Sequence, residues 1–70
     1  MQDDVKITLA AARVNAGMTQ EKAAQALGIS KQTLVNWENN KVIPGTVQLL
    51  ALSSLYKLPI DLLFVPIKTT

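Results

Sequence analysis

Along the chain, apolar residues return at helical spacing in four successive windows, and a threonine or serine stands immediately ahead of each. Thr8 precedes Leu9-Ala10-Ala11-Ala12-Arg13-Val14-Asn15-Ala16, and Gly17 follows. Thr19 precedes Gln20 to Leu27, and Gly28 follows. Ser30 precedes Lys31 to about Asn39, where Leu34 and Trp37 stand three apart on one face. Thr46 precedes Val47 to about Tyr56, with Leu49, Leu50, Leu52 and Leu55 as its buried side. A hydroxyl ahead of a helix accepts a hydrogen bond from one of its unpaired N–H groups, and a glycine past the end supplies the left-handed residue that closes it. Each window is therefore predicted to be a helix. Lys22, Thr33 and Leu49 stand where a capping box needs Glu or Gln, so the three internal starts rest on single caps. Asn39-Asn40-Lys41-Val42-Ile43-Pro44-Gly45 reads as a loop, because Pro44 and Gly45 forbid continuation. Pro59 opens a short fifth helix, Ile60 to Leu63, and residues 1–7 and 64–70 are expected to be extended or flexible ends.

The second and third predicted helices are joined only by Gly28-Ile29-Ser30, a tight turn in which glycine supplies positive φ. Ala23, Ala24, Leu27, Ile29, Leu34 and Trp37 are the residues expected to lock this pair, the small alanines allowing close approach. Lys31, Gln32, Val35 and Asn36 then remain outside on the third helix. At about 100° per residue they share one face, centred on its first two turns. A helix that presents its N-terminal residues outward suits the major groove of DNA. There Gln and Asn pair bidentately with adenine, Lys with guanine, and an aliphatic such as Val35 touches a thymine methyl.

Composition narrows the alternatives. Seventy residues make one domain over 1–70, with enough apolar residues (49%) for a core. Alanine and leucine lead, and Trp37, Tyr56 and Phe64 are the only aromatics, a mix that favours packed helices. With no cysteine and no histidine, disulfides, thiolate chemistry and the common zinc sites are excluded, and no cofactor or metal is implied. Asp3, Asp4, Glu21, Glu38 and Asp61 show no paired arrangement in sequence, so an enzyme is not expected. No signal peptide is seen and no stretch nears the roughly 18 apolar residues of a membrane span, so a cytoplasmic protein with no membrane partner is expected. The net charge of +2 permits a nucleic-acid partner without demanding one; Lys57 and Lys68 read as solvated.

Thr19-Gln20-Glu21 with Ala24, then Leu27-Gly28-Ile29-Ser30, then Trp37-Glu38-Asn39-Asn40-Lys41 followed by Pro44, resemble the Cro/phage-repressor helix-turn-helix family, the xenobiotic-response-element type. The likeness runs over about residues 8–63, and Tyr56-Lys57-Leu58-Pro59-Ile60-Asp61-Leu62-Leu63 resembles the family's junction between its last two helices. It implies an all-α, lambda-repressor-like bundle of five short helices that binds operator DNA as a dimer. It further implies that Lys31, Gln32 and Asn36, with Val35 beside them, read bases. Gln20, Thr33, Asn39 and Lys41 fall where members meet phosphates, and Arg13 and Glu38 match the family's internal ion pair. Three features depart from the pattern. Asn40 replaces a usual glycine, though asparagine tolerates the left-handed conformation. Lys22 replaces a frequent acid, and the chain ends soon after the fifth helix, so no effector or separate oligomerisation domain is expected; no small-molecule effector is evident.

The reading is a repressor-like regulator that binds duplex DNA as a homodimer through a recognition helix at about 31–39. Two alternatives share the fold: a protein-interaction module such as an antirepressor, or the antitoxin of a toxin–antitoxin pair.

Overall fold

A computed structural model describes residues 6–65. The expectations for Asp3, Asp4 and Lys68, and for the outer parts of both ends, lie outside the described residues. Two residues, Ile7–Thr8 (β1), lead directly into helix α1, Leu9–Asn15. Helices α2, Gln20–Leu27, and α3, Lys31–Glu38, follow at close intervals, and α4, Thr46–Tyr56, comes after a loop. A single 3₁₀ turn, Ile60–Leu62, then leads into β2, Leu63–Phe64.

The starts of α1, α2 and α3 are made alike. The hydroxyls of Thr8, Thr19 and Ser30 each accept from the backbone N–H three residues on, at Ala11, Lys22 and Thr33, all at 3.1 Å. The ends of all four helices are alike too. At each, a residue in the left-handed conformation donates its N–H to the carbonyl three back, and the next residue donates to the carbonyl five back from itself. Gly17 (φ 74°) pairs with Val14 while Met18 pairs with Arg13; Gly28 (φ 72°) pairs with Gln25 while Ile29 pairs with Ala24. Asn40 (φ 63°) and Lys41 reach Trp37 and Asn36, and Lys57 (φ 57°) and Leu58 reach Ser54 and Ser53. This double bond satisfies carbonyls that a helix end leaves open. Asn40 thus does the work of the glycine that the family pattern places there.

Helix α2 packs on α3 and α4, and α1 packs on α3 and α4. Between them lie Leu9, Ala12, Ala23, Ala24, Leu34, Trp37, Leu52, Tyr56 and Leu63, all buried. Leu27, Ile29, Leu49 and Leu55 are half-buried against that cluster. The two ends of the described chain meet in a short parallel pairing, Ile7 with Leu63 and Thr8 with Phe64.

Three expectations need correction. The architecture is four α-helices rather than five, because the stretch after Pro59 makes one 3₁₀ turn, closed by Leu62 N–H to Pro59 C=O, before Leu63 is drawn into pairing with Ile7. Thr46 does not cap α4. It is already helical, Gly45 takes the extended cap position, and no side chain caps that start. Leu50 does not belong to the buried side of α4: Leu52 and Tyr56 do, with Leu49 and Leu55 at the margin, while Leu50 lies 100° round from Leu49 and is 55% exposed.

One polar cluster fixes how α1, α2 and α3 meet. Arg13 Nε donates to Glu38 Oε2 at 2.7 Å and Arg13 Nη2 to Oε1 at 3.3 Å. Gln20 Nε2 also donates to Glu38 Oε1, at 2.9 Å, and Arg13 Nη1 donates to the Met18 carbonyl at 2.9 Å. The Glu38 side chain is 4% exposed and that of Arg13 14%. The hydrogen bond that Arg13 donates to Glu38 holds the Arg13 pKa above its already high value. Tyr56 stands near this pair, its buried hydroxyl without a partner. Burial, with the Glu38 charge adding to it and Arg13 opposing, pushes the Tyr56 pKa up to about 12.

Removing one partner of a buried ion pair leaves the other charge stranded, at a cost of about 3–5 kcal/mol. Arg13→Ala leaves the more deeply buried charge, and it should lose more stability than Glu38→Ala, whose stranded guanidinium is nearer water. For a chain whose total stability is of order 5 kcal/mol, Arg13→Ala should be largely unfolded at room temperature. Urea unfolding of both variants checks the order; equal small losses would contradict it.

Alkaline titration gives a second expectation. The folded pKa of Tyr56 lies above the ordinary value near 10, so the folded state holds the phenol proton more tightly than the unfolded chain. This contribution is complete below pH 10 and is lost between about pH 10 and about 12, by up to about 1.4 kcal/mol per pH unit. Tyr56→Phe should flatten that decline, and it also removes an unpaired buried hydroxyl. An unchanged pH profile of urea midpoints would count against it.

At the end of α4, Lys57 adopts a conformation that costs an L-residue about 1–2 kcal/mol. Lys57→Gly should therefore stabilise the fold by about 0.5–1 kcal/mol after the glycine's greater freedom when unfolded is subtracted. A lower thermal midpoint for that variant would refute the account.

Candidate nucleic-acid interface

Helix α3 is seated by Leu34 and Trp37, both buried, and the residues between them in the helical turn therefore face away from the core. Lys31 and Gln32 are exposed, Val35 and Asn36 half-buried, and all four lie on that outward side. The turn Gly28-Ile29-Ser30 points the start of α3 outward: Gly28 closes α2, the half-buried Ile29 anchors the turn in the core, and Ser30 opens α3.

The polar groups on this surface are ordered by one another. Gln32 Nε2 donates to Asn36 Oδ1 at 3.0 Å, one helical turn along, which sets the two amides side by side. Lys31 Nζ lies 3.6 Å from Glu21 Oε2 across the α2–α3 junction, with both side chains mostly exposed. A pair so exposed contributes little to stability and leaves the ammonium free to move. Thr33 shares a 2.9 Å hydroxyl–hydroxyl hydrogen bond with Ser30 and is half-buried. Asn39 caps the end of α3, and Lys41 stands exposed in the loop beyond it. Lys22, on α2, is exposed as well.

Gln20 is placed differently from what its position suggests. It opens α2 beside the outward face, but one N–H of its amide is spent on Glu38. Its first task is to help hold the Arg13–Glu38 pair, and only the remainder of the amide is available to anything outside. Two features of the surface escaped the reading of the sequence. The approach of Glu21 to Lys31 depends on how α2 crosses α3, and no local spacing announces it. The bracing of Glu38 by Gln20 joins residues 18 apart in the chain and is equally silent.

Among the described residues no three acidic, histidine or cysteine side chains come close enough to hold a metal ion, and no helix is long and apolar enough to cross a membrane. What the surface offers is a rigid helix presenting two amides, one ammonium and one aliphatic side chain, with further cations at its margins.

Comparison with known proteins agrees with this geometry. The helix-turn-helix transcriptional regulator ImmR of Bacillus subtilis (strain 168) is 44% identical to this chain over 52 residues, 74% of the chain and 41% of ImmR. The chain therefore spans less than half the length of that relative. No solved structure gives a significant match. The sequence model of the helix-turn-helix family matches residues 9–63, from the first residue of α1 to the start of β2. With the match extending over so much of the sequence, and with the outward-facing helix in its place, the chain belongs to the helix-turn-helix family, of the Cro/C1 type.

Proposed function

We propose that this chain is a sequence-specific, duplex-DNA-binding transcriptional regulator of the repressor kind. It works in the cytoplasm as a homodimer on DNA, with no cofactor and no small-molecule effector. The observation that carries the reading is the outward face of α3: Lys31, Gln32, Val35 and Asn36 project together from its first two turns, and the side chains behind them are locked. In the major groove Gln32 and Asn36 read adenine edges, Lys31 meets guanine, and Val35 packs on a thymine methyl. Thr33, Asn39, Lys41 and the free part of the Gln20 amide lie along the flanks, where the phosphate backbones pass and contacts set register rather than sequence. Repression follows from occupancy, and no catalytic step is needed. One recognition helix spans too few base pairs to define a useful site, so two protomers bind half-sites about one DNA turn apart, roughly 34 Å.

Duplex selected from a random pool gives the test. Affinity should fall as salt rises, modestly for one protomer given the net charge of +2. Gln32→Ala and Asn36→Ala should each lose about 1–3 kcal/mol and relax the preference at one position. Lys41→Ala should weaken all sequences alike and lower the salt slope by about one. Binding of the three variants to every single-base variant of the selected site distinguishes the roles. Unchanged base preferences for both amide variants would remove α3 as the reader, and failure to enrich any duplex would remove the DNA-binding reading itself.

A further inference from the structure

The carboxylate side chains among the described residues are those of Glu21, Glu38 and Asp61. Glu38 is buried and paired with Arg13, and Asp61 stands in the 3₁₀ turn after Pro59. Glu21 alone lies beside the face that carries the reading residues. It is exposed in the first turn of α2, and its Oε2 lies 3.6 Å from Lys31 Nζ, in the first turn of α3. A negative charge set where a polyanion is to dock opposes binding to every sequence. An acid in the first turn of a helix also suits the helix dipole. That role needs no partner on α3, however, and does not account for the approach of Lys31.

We propose that Glu21 is a positioning residue that sets specificity through Lys31: it offsets the pull of the ammonium on phosphates and leaves its hydrogen bonds to a guanine edge. This rests on the DNA-binding reading above and goes further by giving a role to a side chain that the reading does not use. Range separates the two kinds of contact. An ammonium attracts a phosphate through a charge–charge interaction that acts over many ångströms, so a carboxylate 3.6 Å from the ammonium offsets much of it. The pair is closer than the screening length of about 10 Å at 0.1 M salt, so salt weakens the offset only in part. A hydrogen bond to guanine O6 or N7 is short-range and goes to an uncharged acceptor. The ammonium has three donors, and one can stay turned toward Glu21 while the others meet the base.

Two kinds of binding are divided in this way. On an arbitrary duplex Lys31 contributes little, because a phosphate that approaches it also approaches Glu21. On the selected site the bonds to guanine are made at nearly full strength. Lys41 meets no carboxylate among the described residues and keeps its sequence-independent attraction. One carboxylate thus separates a lysine that reads from a lysine that grips.

The experiment measures binding to the selected duplex, to its single-base variants and to an unrelated duplex over a range of salt. It uses the unaltered chain, Glu21→Gln, Lys31→Ala, the double variant, and Asp61→Asn, which removes the same charge from the 3₁₀ turn. Glu21→Gln should bind the unrelated duplex about three- to tenfold more tightly at low salt, with a salt slope steeper by about one, as one more phosphate is neutralised. At the position whose preference Lys31→Ala relaxes, Glu21→Gln should cut discrimination by about threefold or more, part of what one base contact supplies. In the Lys31→Ala chain, Glu21→Gln should leave every base preference unchanged. Asp61→Asn should alter neither the preference nor the slope. A smaller folded fraction lowers binding to all duplexes alike, so it cannot imitate a change in preference. Tighter binding to every duplex in equal proportion would make Glu21 a plain repulsive charge. An effect on preference that persists without Lys31 would make it a reader of bases in its own right. Either result, or an equal effect from Asp61→Asn, would overturn the proposal while leaving the DNA reading intact. A Lys31→Ala chain with every preference intact would overturn it too, since Lys31 would then read nothing. No binding by the unaltered chain to any selected duplex would overturn the DNA reading itself, and the role of Glu21 with it.

Discussion

The Glu38 carboxylate constrains the arrangement of the first three helices more than any other group. It is almost wholly removed from water at the end of α3, and among the described residues its charge is met only by N–H groups of Arg13, from α1, and Gln20, from the start of α2. Burying an ion pair is not by itself a strong source of stability, since desolvation offsets most of the attraction. Its effect here is selective. Leu34, Trp37 and the alanines of α2 are greasy and small enough to tolerate several ways of packing, but any packing that shifts α3 along α2 or α1 strands a carboxylate without donors. The apolar core supplies the driving force, and Glu38 decides which of the available arrangements it settles into. The proposed recognition face inherits its direction from that choice, because Lys31, Gln32 and Asn36 sit on the same short helix as Glu38.

The helix ends make this arrangement reachable with so little chain. Each of the four helices closes through the same pair of backbone bonds around one left-handed residue, which satisfies its last carbonyls and turns the chain at once. Only Gly28-Ile29-Ser30 then separates α2 from α3, too few residues for the two helices to sample other crossings. Glycine does this without strain at two of the ends. Asn40 does it at modest strain, and Lys57 with the most, at a site where α4 has already been fixed by Leu52 and Tyr56.

What the sequence discloses about this fold follows the range of the interactions involved. The caps at Thr8, Thr19 and Ser30 are bonds across three residues, and the bare order of residues reveals them. The pairing of Gln32 with Asn36 follows from the helical period alone. Helix α4 is different: leucines and valine stand on all its sides, so periodicity cannot say that Leu52 and Tyr56 go in while Leu50 stays out. That choice is made by α1 and α2, which supply the surface it packs on. The stretch after Pro59 carries a helix-start signal, yet Leu63 is captured by Ile7, a partner 56 positions away, before a helical turn of α type can close. Arg13 and Glu38, 25 residues apart, leave no local mark and are reachable from sequence only through the family resemblance.

On the proposed reading of α3 as the base-reading helix, the bond between Gln32 and Asn36 bears on how such a surface would discriminate. Both amides already have a partner in the free chain, at 3.0 Å, so their rotamers are narrowed before any base arrives and less freedom is lost on docking. The same bond means that a correct base does not fill an empty site. It exchanges one hydrogen bond, and whatever water surrounds the rest of each amide, for bonds to the base edge, and such exchanges yield only about 1 kcal/mol apiece. A wrong base forces the amides to give up water and gain nothing, which costs more than the right base returns. On the proposed reading, a face built this way would separate sequences chiefly by rejecting mismatches, and it would leave the bulk of the affinity to the phosphate contacts on its flanks.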